Sequence, residues 1–284
     1  MRAPAEEKRK AEEKKPDADL REALADFYPR QTLPLQLALT YLDTPASGGV
    51  LTSSVQAAAD SLSYGERGVE PARVTVAGVV LDDRGKPAAS FGTKLTIDPP
   101  AAAGGAPHAP NVIYNRPTPL KPGLYQVRVA ARDDRSGLVG SAMQWAVVPD
   151  LSARGLSLSS LLLGIEGVAD GGREGGRLQW SVGKRFARGS RLRFMCFVYN
   201  AARAAGGAAD LAARVQVYGD GRPLASAPFD KIPAGAQAAD PARVPFTAEV
   251  NLGALPAGRY FLRVTVEDRA AQKTVSEQTP FYVQ

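Results

Sequence analysis

The sequence has little of the chemistry that most enzyme and metal sites require. Its 284 residues include one cysteine, Cys196, and one histidine, His108. A lone cysteine cannot form a disulfide within the chain, and a zinc site built from several histidines or cysteines lacks its ligands. A catalytic triad also needs a histidine beside its nucleophile, and His108 lies in a Gly-Ala-Pro-rich loop. We therefore predict a non-enzyme without metal or cofactor.

Long apolar runs are also missing. The most apolar stretch, 156–165, contains serines and is far shorter than the roughly 18 residues of a membrane span. The first residues are charged and no apolar segment follows them, so we expect no membrane span and no signal peptide in this sequence. The formal net charge of +6 is a weak bias towards anionic partners.

The N-terminal segment is charged but balanced. Residues 1–30 carry eight basic and eight acidic side chains. Asp19 and Glu22 have the spacing of a capping box, which indicates a helix start. The apolar residues on one face of that helix are Leu20, Leu24 and Phe27. We predict a charged linker and short helix over 1–31, with the helix at 19–28.

Beyond residue 34 the pattern changes from helical to alternating. Runs rich in β-branched and aromatic residues are separated by Gly, Pro, Asp and Asn, which is typical of antiparallel sandwiches. The predicted strands are 35–42, 50–56, 73–81, 88–97, 111–115, 125–131, 139–148, 156–163, 178–182, 191–199, 212–218, 224–229, 244–250, 260–266 and 274–283. The expected fold class is all-β.

An internal repeat divides the chain. Residues 120–129 match residues 255–264, and in the same register Asp133 falls on Asp268. Upstream, the Gly-basic-Pro turn at 85–87 matches the one at 221–223. Repeats at such a period indicate homologous structural units. We predict two domains, over 32–149 and 155–284.

Tyr125 and Tyr260 stand at equivalent positions in the repeat, each at the end of a Leu-x-x-Gly-x-Tyr motif. A glycine before the strand tolerates unusual backbone angles, and a buried tyrosine bonds a nearby backbone group through its hydroxyl. This is the pattern of the tyrosine corner. We therefore predict two tandem immunoglobulin-like or fibronectin-III-like β-sandwiches after a short charged helical segment.

Several phrases resemble a known family. The segments 33–43 (LPLQLALTYLD), 76–87 (VAGVVLDDRGKP) and 120–125 (LKPGLY) are similar to the C-terminal β-rich region of VWFA-related (von Willebrand factor A domain-related) proteins of Acidobacteria. The resemblance implies an exported, periplasmic or extracellular protein with an A domain upstream and no established enzymatic activity. The A domain's Asp-x-Ser-x-Ser metal motif is absent, because 60–64 has its serines at other offsets.

The densest basic run is a candidate anion-binding site. Its members are Lys184, Arg185, Arg188, Arg191 and Arg193, interleaved with Phe186 and Phe194. Basic and aromatic side chains together can bind polyanions such as nucleic acid or acidic glycans. Strand alternation puts Arg191 and Arg193 on one side, so an ordinary strand with solvated arginines is the alternative.

Other candidates have plainer interpretations. The aspartate pairs 82–83 and 133–134 could bind calcium, but turn formation is favoured. Trp145 and Trp180 could stack on sugars, but core packing is favoured. Cys196 lies in an apolar run and is expected to be a buried thiol. The glycine-rich stretch after residue 163 lacks the Gly-Lys-Ser/Thr of a phosphate loop.

From the fold and the resemblance we predict a non-catalytic spacer and protein-interaction module of an exported cell-envelope protein. The expected partner is a protein, including the upstream A domain, and nucleic acid is not expected. One alternative is a β-sandwich module that binds polyanions or glycans. The other is an accessory region of a carboxylate-based glycoside hydrolase.

Overall fold

The computed structural model describes residues 18–44, 48–65, 70–100, 111–166, 178–204, 207–233, 240 and 242–284. Within these ranges it has one α-helix, α1 (Ala18–Ala25), and 3₁₀ turns at Ala59–Ser61 and Leu151–Ala153. The helix is too short to cross a membrane, and the described residues hold no other candidate span. The strands are β1 (Gln36–Thr44), β2 (Gly48–Ala58), β3 (Ala72–Leu81), β4 (Pro87–Ile97), β5 (Asn111–Pro119), β6 (Gly123–Asp133), β7 (Val139–Val148), β8 (Ser157–Leu158), β9 (Leu162–Glu166), β10 (Leu178–Trp180), β11 (Arg185–Phe186), β12 (Arg191–Tyr199), β13 (Leu211–Gly219), β14 (Arg222–Ser226), β15 (Asp230–Lys231), β16 (Arg243–Asn251), β17 (Gly258–Asp268) and β18 (Lys273–Val283).

The chain divides into two compact units. The first comprises Met1–Leu39 and Thr52–Val148, and the second comprises Thr40–Leu51 and Pro149–Gln284. The end of the β1–β2 hairpin is thus counted with the second unit. The domain boundaries read from the sequence placed that whole hairpin in the first domain, because the pattern within it does not change.

The first unit contains a four-stranded antiparallel sheet in the order β4-β3-β6-β7, and β1, β2 and β5 form a three-stranded sheet. Alternate side chains of β3 are buried, among them Val76 and Val80, and they lie beside the buried Val127 of β6. This follows from the two-residue period of a strand. The Phe91 ring lies against Gly78, where a Cβ would meet it at 2.1 Å.

Helix α1 covers part of the opposite face of the four-stranded sheet. Leu20 and Ala23 are buried there against Ala130. Arg128 donates from Nη1 to the carbonyl oxygen of Leu24 at 3.1 Å. A cation at the last turn of a helix complements the partial negative charge of its free carbonyl groups. The predicted amphipathic segment therefore docks on the sheet.

The chain after α1 runs along the free side of β7. The Ser141 N–H donates to the Arg30 carbonyl at 3.0 Å, and the Leu33 N–H donates to the Val139 carbonyl at 3.3 Å. This approach depends on Gly140, because a Cβ at that position would lie 1.9 Å from the Leu33 carbonyl oxygen. Residues 30–33 thus cover the start of the β7 edge of the four-stranded sheet, at 139–141.

The second unit has two sheets over one core. One has the order β10-β9-β12-β16 with β8 beside β12, and the other has the order β11-β18-β17-β13-β14 with β15 beside β13. Buried side chains of both sheets share one apolar cluster, including Phe194 and Val198 from β12 and Leu262 and Val264 from β17. Two sheets packed face to face form a sandwich.

The all-β prediction is confirmed, whereas the immunoglobulin-like or fibronectin-III-like topology stays a prediction. The strand expected at 156–163 is two pieces, β8 and β9, and the two-residue strands β11 and β15 were missed. The helix was expected to reach residue 28, with Phe27 on its apolar face. That was wrong, because the helix ends at Ala25 and Phe27 is 80% exposed.

Candidate anion-binding face

The basic run identified in the sequence is divided between the two sheets of the second unit. Lys184 and Arg185 lie at the start of β11 in one sheet, whereas Arg191 and Arg193 lie on β12 in the other. Arg188 is exposed in the connection between them, where its N–H donates to the Gln284 carbonyl at 2.8 Å. The five side chains therefore do not form a single surface.

Arg191 and Arg193 face a carboxylate. The register of β12 and β16 places Arg193 opposite Glu249. Arg193 Nε donates to Glu249 Oε1 at 2.5 Å, and Arg191 Nη1 is 3.9 Å from Glu249 Oε2. Part of the positive charge on this strand is thus balanced locally, as expected for ordinary strand arginines.

Lys184 is turned towards the interior. Its Nζ donates to the hydroxyl of Thr279, which is buried. Burial lowers the pKa of Lys184 and raises the pKa of nearby Glu277, and the opposite charges of the two groups partly offset both shifts. An interior ammonium group is a poor contact for a polymer at the surface.

Arg185 belongs to a different surface, which sequence reasoning missed. The register places Arg185 and Arg259 on either side of Tyr282, across β11, β18 and β17. One step further along the sheet, Phe261 of β17 stands opposite Tyr218 of β13. Together with Arg263, these residues form the outer surface of the sheet, which we call the arginine–aromatic face: Arg185, Arg259, Arg263, Tyr218, Phe261 and Tyr282.

Each arginine of the face lies over an aromatic ring. The distances from Cζ to the ring centroid are 5.0 Å for Arg185 over Tyr282, 5.0 Å for Arg259 over Phe261 and 4.8 Å for Arg263 over Tyr218. This contact attracts the cation to the ring and restricts its movement. The N–H groups at the rim of a stacked guanidinium can still donate to an anion.

A row of hydrogen bonds crosses the face over four strands. Arg263 Nη2 donates to Gln278 Oε1 at 2.9 Å, and Arg263 Nη1 donates to the Tyr218 hydroxyl at 3.4 Å. The Tyr218 hydroxyl donates to Gln216 Oε1 at 3.4 Å, and Gln216 Nε2 donates to the Ser226 hydroxyl at 3.2 Å. Arg263 is therefore positioned by neutral groups.

The face carries an excess of positive charge. A fourth arginine, Arg214, lies on the same side of β13 over the Phe229 ring at 4.5 Å, and its Nε has no hydrogen-bond acceptor among the residues that the structure describes. Within the described ranges, no carboxylate forms an ion pair with any of these four arginines. Glu267, at the far end of the face, lies 3.6 Å from Arg269. Anions are the complementary ligands.

The two repeat tyrosines are structural. Both rings are buried. The Tyr125 hydroxyl donates to the Lys121 carbonyl at 2.9 Å, and the Tyr260 hydroxyl donates to the Pro256 carbonyl at 2.8 Å. Each bond reaches back four residues to the segment that enters the strand, which is the arrangement that the Leu-x-x-Gly-x-Tyr motif suggested.

The repeat aspartates hold turns. Asp133 and Asp268 are fully buried. Each accepts at Oδ1 from the backbone N–H two residues later, at 2.9 and 3.1 Å. Each also accepts at Oδ2 from a distant N–H, that of Ser63 at 2.6 Å and that of Ala202 at 2.7 Å. In the described part of the chain, no three His, Cys, Asp or Glu side chains could hold a metal.

The predicted core positions of the two tryptophans were wrong. Trp145 is 56% exposed and Trp180 is 37% exposed. Trp145 lies on β7 beyond the part of the sheet that α1 covers, and Trp180 lies on an edge strand. Cys196, in contrast, is fully buried as expected, and burial raises the pKa of its thiol to about 12.

Two carboxylates line a cleft of about 520 Å³ in the first unit. Glu70 Oε2 lies 2.7 Å from Arg135 Nη2, and Asp134 Oδ1 lies 3.0 Å from Arg132 Nη2. A glycoside hydrolase uses one carboxyl group as a proton donor beside a second carboxylate. Here each of the two carboxylates forms an ion pair with an arginine.

No protein-family model matches the chain, and no curated protein matches it. Two solved structures of Bacteroides uniformis β-glucuronidase, one of them β-glucuronidase 2 covalently bound to cyclophellitol-6-carboxylate aziridine, are similar at 14% identity with a TM-score of 0.27. In each case the match covers 82% of this chain and 26% of that chain. These values assign neither a fold nor an activity to the protein.

Proposed function

We propose that the second unit is a non-catalytic module that binds anionic polymers through the arginine–aromatic face. The observation that supports this is the set of three guanidinium groups, each stacked on a ring and without a carboxylate partner among the described residues. A guanidinium binds carboxylate, sulfate or phosphate through two parallel hydrogen bonds. Because the arginines are spread along β17 and across to β11, one polymer could contact more than one of them.

Binding rather than catalysis is supported by the state of the reactive groups. The thiol of Cys196 is buried with its pKa raised to about 12, so it is not a nucleophilic thiolate at neutral pH. The carboxylates of Glu70 and Asp134 are held in ion pairs with arginine. Neither arrangement favours covalent or acid–base chemistry.

Retention on a heparin column tests the proposal. The variant Arg259→Ser/Arg263→Ser is expected to elute at clearly lower salt than the parent chain, because exposed charge interactions are screened by salt. The matched control is Arg84→Ser/Lys86→Ser, which removes the same charge from the exposed β3–β4 turn of the first unit. Equal elution of the two variants would contradict the proposal.

A second pair of variants separates this face from the basic run. Arg191→Ser/Arg193→Ser is expected to change elution little, because Glu249 already balances part of that charge. The elution of this variant is measured on the same heparin column. A loss larger than that of Arg259→Ser/Arg263→Ser would place the anion site on the β12 side of the sandwich instead.

The spacer and protein-interaction role in an exported VWFA-related protein stays a second proposal. It is supported by the resemblance of 33–43, 76–87 and 120–125, and by β4, which forms ten residue pairs with β3 and lies at an edge of its sheet. A free edge can accept an extended segment of a partner protein. Immunoblotting of envelope and cytoplasmic fractions of cells carrying the natural gene tests export. A cytoplasmic chain would contradict it.

A further inference from the structure

We infer that the ligand of the arginine–aromatic face is an acidic polysaccharide, in which carboxylate or sulfate groups are separated by hydroxyl-bearing sugars. The inference rests on the proposed anion-binding function and narrows its ligand. Three properties of the face support it: the spacing of its arginines, the neutral groups beside Arg263 and the coverage of the aromatic rings by guanidinium groups.

The arginines are widely spaced. Arg259 and Arg263 are four residues apart on β17, which corresponds to about 13 Å at roughly 3.3 Å per residue. Arg185 is two strands away from Arg259, which corresponds to about 10 Å at roughly 4.8 Å per strand. Duplex DNA, in contrast, carries a charge for about every 1.7 Å of its axis. Sparse cations suit a polymer with sparse anions.

Neutral hydrogen-bonding groups flank Arg263 on the neighbouring strands. Gln278, Gln216 and Ser226 lie in the row that Arg263 and Tyr218 complete. Amides and hydroxyls both donate and accept hydrogen bonds. Sugar hydroxyls also do both, whereas a phosphodiester oxygen only accepts. The row therefore complements a polymer rich in hydroxyl groups.

The rings are not open for base stacking. Tyr282, Phe261 and Tyr218 are only partly exposed, and each has a guanidinium over it. Proteins that bind single-stranded nucleic acid stack the bases on aromatic faces. A base could reach these rings only by displacing the arginine that binds its backbone. This observation disfavours nucleic acid.

Calorimetric titration of the full chain with four probes tests the inference. The probes are chondroitin sulfate, hyaluronan, a single-stranded oligodeoxythymidine and neutral dextran, at about 0.15 M salt, where long-range attraction is screened. We expect the protein to bind at least one acidic polysaccharide, to bind the oligonucleotide more weakly, and not to bind dextran. The variant Arg259→Ser/Arg263→Ser is expected to bind the polysaccharide about 100-fold more weakly, whereas Arg84→Ser/Lys86→Ser should retain the affinity of the parent chain.

The neutral row provides the specific test. The variant Gln216→Leu is expected to lower the affinity for the polysaccharide about fivefold and to leave the affinity for the oligonucleotide unchanged. The control Gln56→Leu, in the first unit, should change neither affinity. If Gln216→Leu does not fold, Ser226→Ala replaces it, because Ser226 is exposed, and the same two changes in affinity are expected.

The outcomes separate the two claims. An oligonucleotide that binds as tightly as the polysaccharides would overturn the inference but leave the anion-binding function standing. Failure of all three charged probes to bind would overturn both. Equal polysaccharide affinity of Arg259→Ser/Arg263→Ser and the parent chain would also overturn both, because the ligand would then bind elsewhere.

Discussion

Asp133 shows how a buried charge stabilises a turn. Burial raises the pKa of its carboxyl group, but hydrogen bonds from Ser63, Arg135 and Ser136 together lower the pKa by more than burial raises it. The pKa therefore lies below its ordinary value. A carboxylate whose pKa is lower in the folded state stabilises the fold at pH above the unfolded value of about 3.9. That stabilisation is lost as the pH falls through the folded pKa.

We therefore expect Asp133→Asn to reduce the free energy of unfolding by about 1–3 kcal/mol at pH 7, because the charged acceptor of several N–H groups is lost. The difference from the parent should shrink at pH 3. Urea unfolding at both pH values measures it, with Asp83→Asn as a control at an exposed position. An equal loss at both pH values would mean that shape, rather than charge, matters at this position.

Helix α1 is short, and its stability depends on packing against the sheet. An isolated helix of eight residues is not stable in water, so its helical structure depends on burial of Leu20 and Ala23 against the sheet. Leu20→Ala is expected to cost about 2–3 kcal/mol in the first unit and to speed hydrogen exchange of the α1 amides. Phe27→Ala, at an exposed position, is the control. If both variants exchange alike, α1 is not held by Leu20.

Alternation predicted β3, β12 and β17 because each has one buried face and one face that is mostly only partly buried. It could not predict β11 or β15, since two residues show no period. It also placed Trp145 in the core, because a strand alone does not reveal how much of its outer face another element covers.

The candidate site could not be predicted for a related reason. Arg185, Arg259 and Tyr282 are far apart in the sequence, and only the pairing of β11, β18 and β17 places them side by side. Each arginine alone has the pattern of a solvated strand residue. The contiguous basic run suggested the right chemistry but mostly the wrong residues, and of its five members Arg185 alone belongs to the face.

At the scale of the molecule, the internal repeat predicts equivalent roles for Tyr125 and Tyr260. Tyr125→Phe and Tyr260→Phe are each expected to lower the free energy of unfolding by about 1–2 kcal/mol, because each removes a buried hydrogen bond. Because the two residues belong to different units, their effects in the double variant should add within about 0.5 kcal/mol.

Denaturant unfolding measures all three variants, and Tyr28→Phe is the control because its side chain is 87% exposed. Parent-like stability of both single variants would show that the hydroxyl bonds contribute nothing. Strong coupling in the double variant would show that the two tyrosine sites are energetically linked.

Gly140 has a consequence for the behaviour of the protein in a crowded solution. A sheet edge without cover is a template on which another chain can add, and such addition leads to aggregation. Here residues 30–33 cover the start of β7, at 139–141, and this cover depends on the missing side chain at position 140. A single added methyl group there would free a second edge of the sheet, so we expect it to promote aggregation while both cores remain folded.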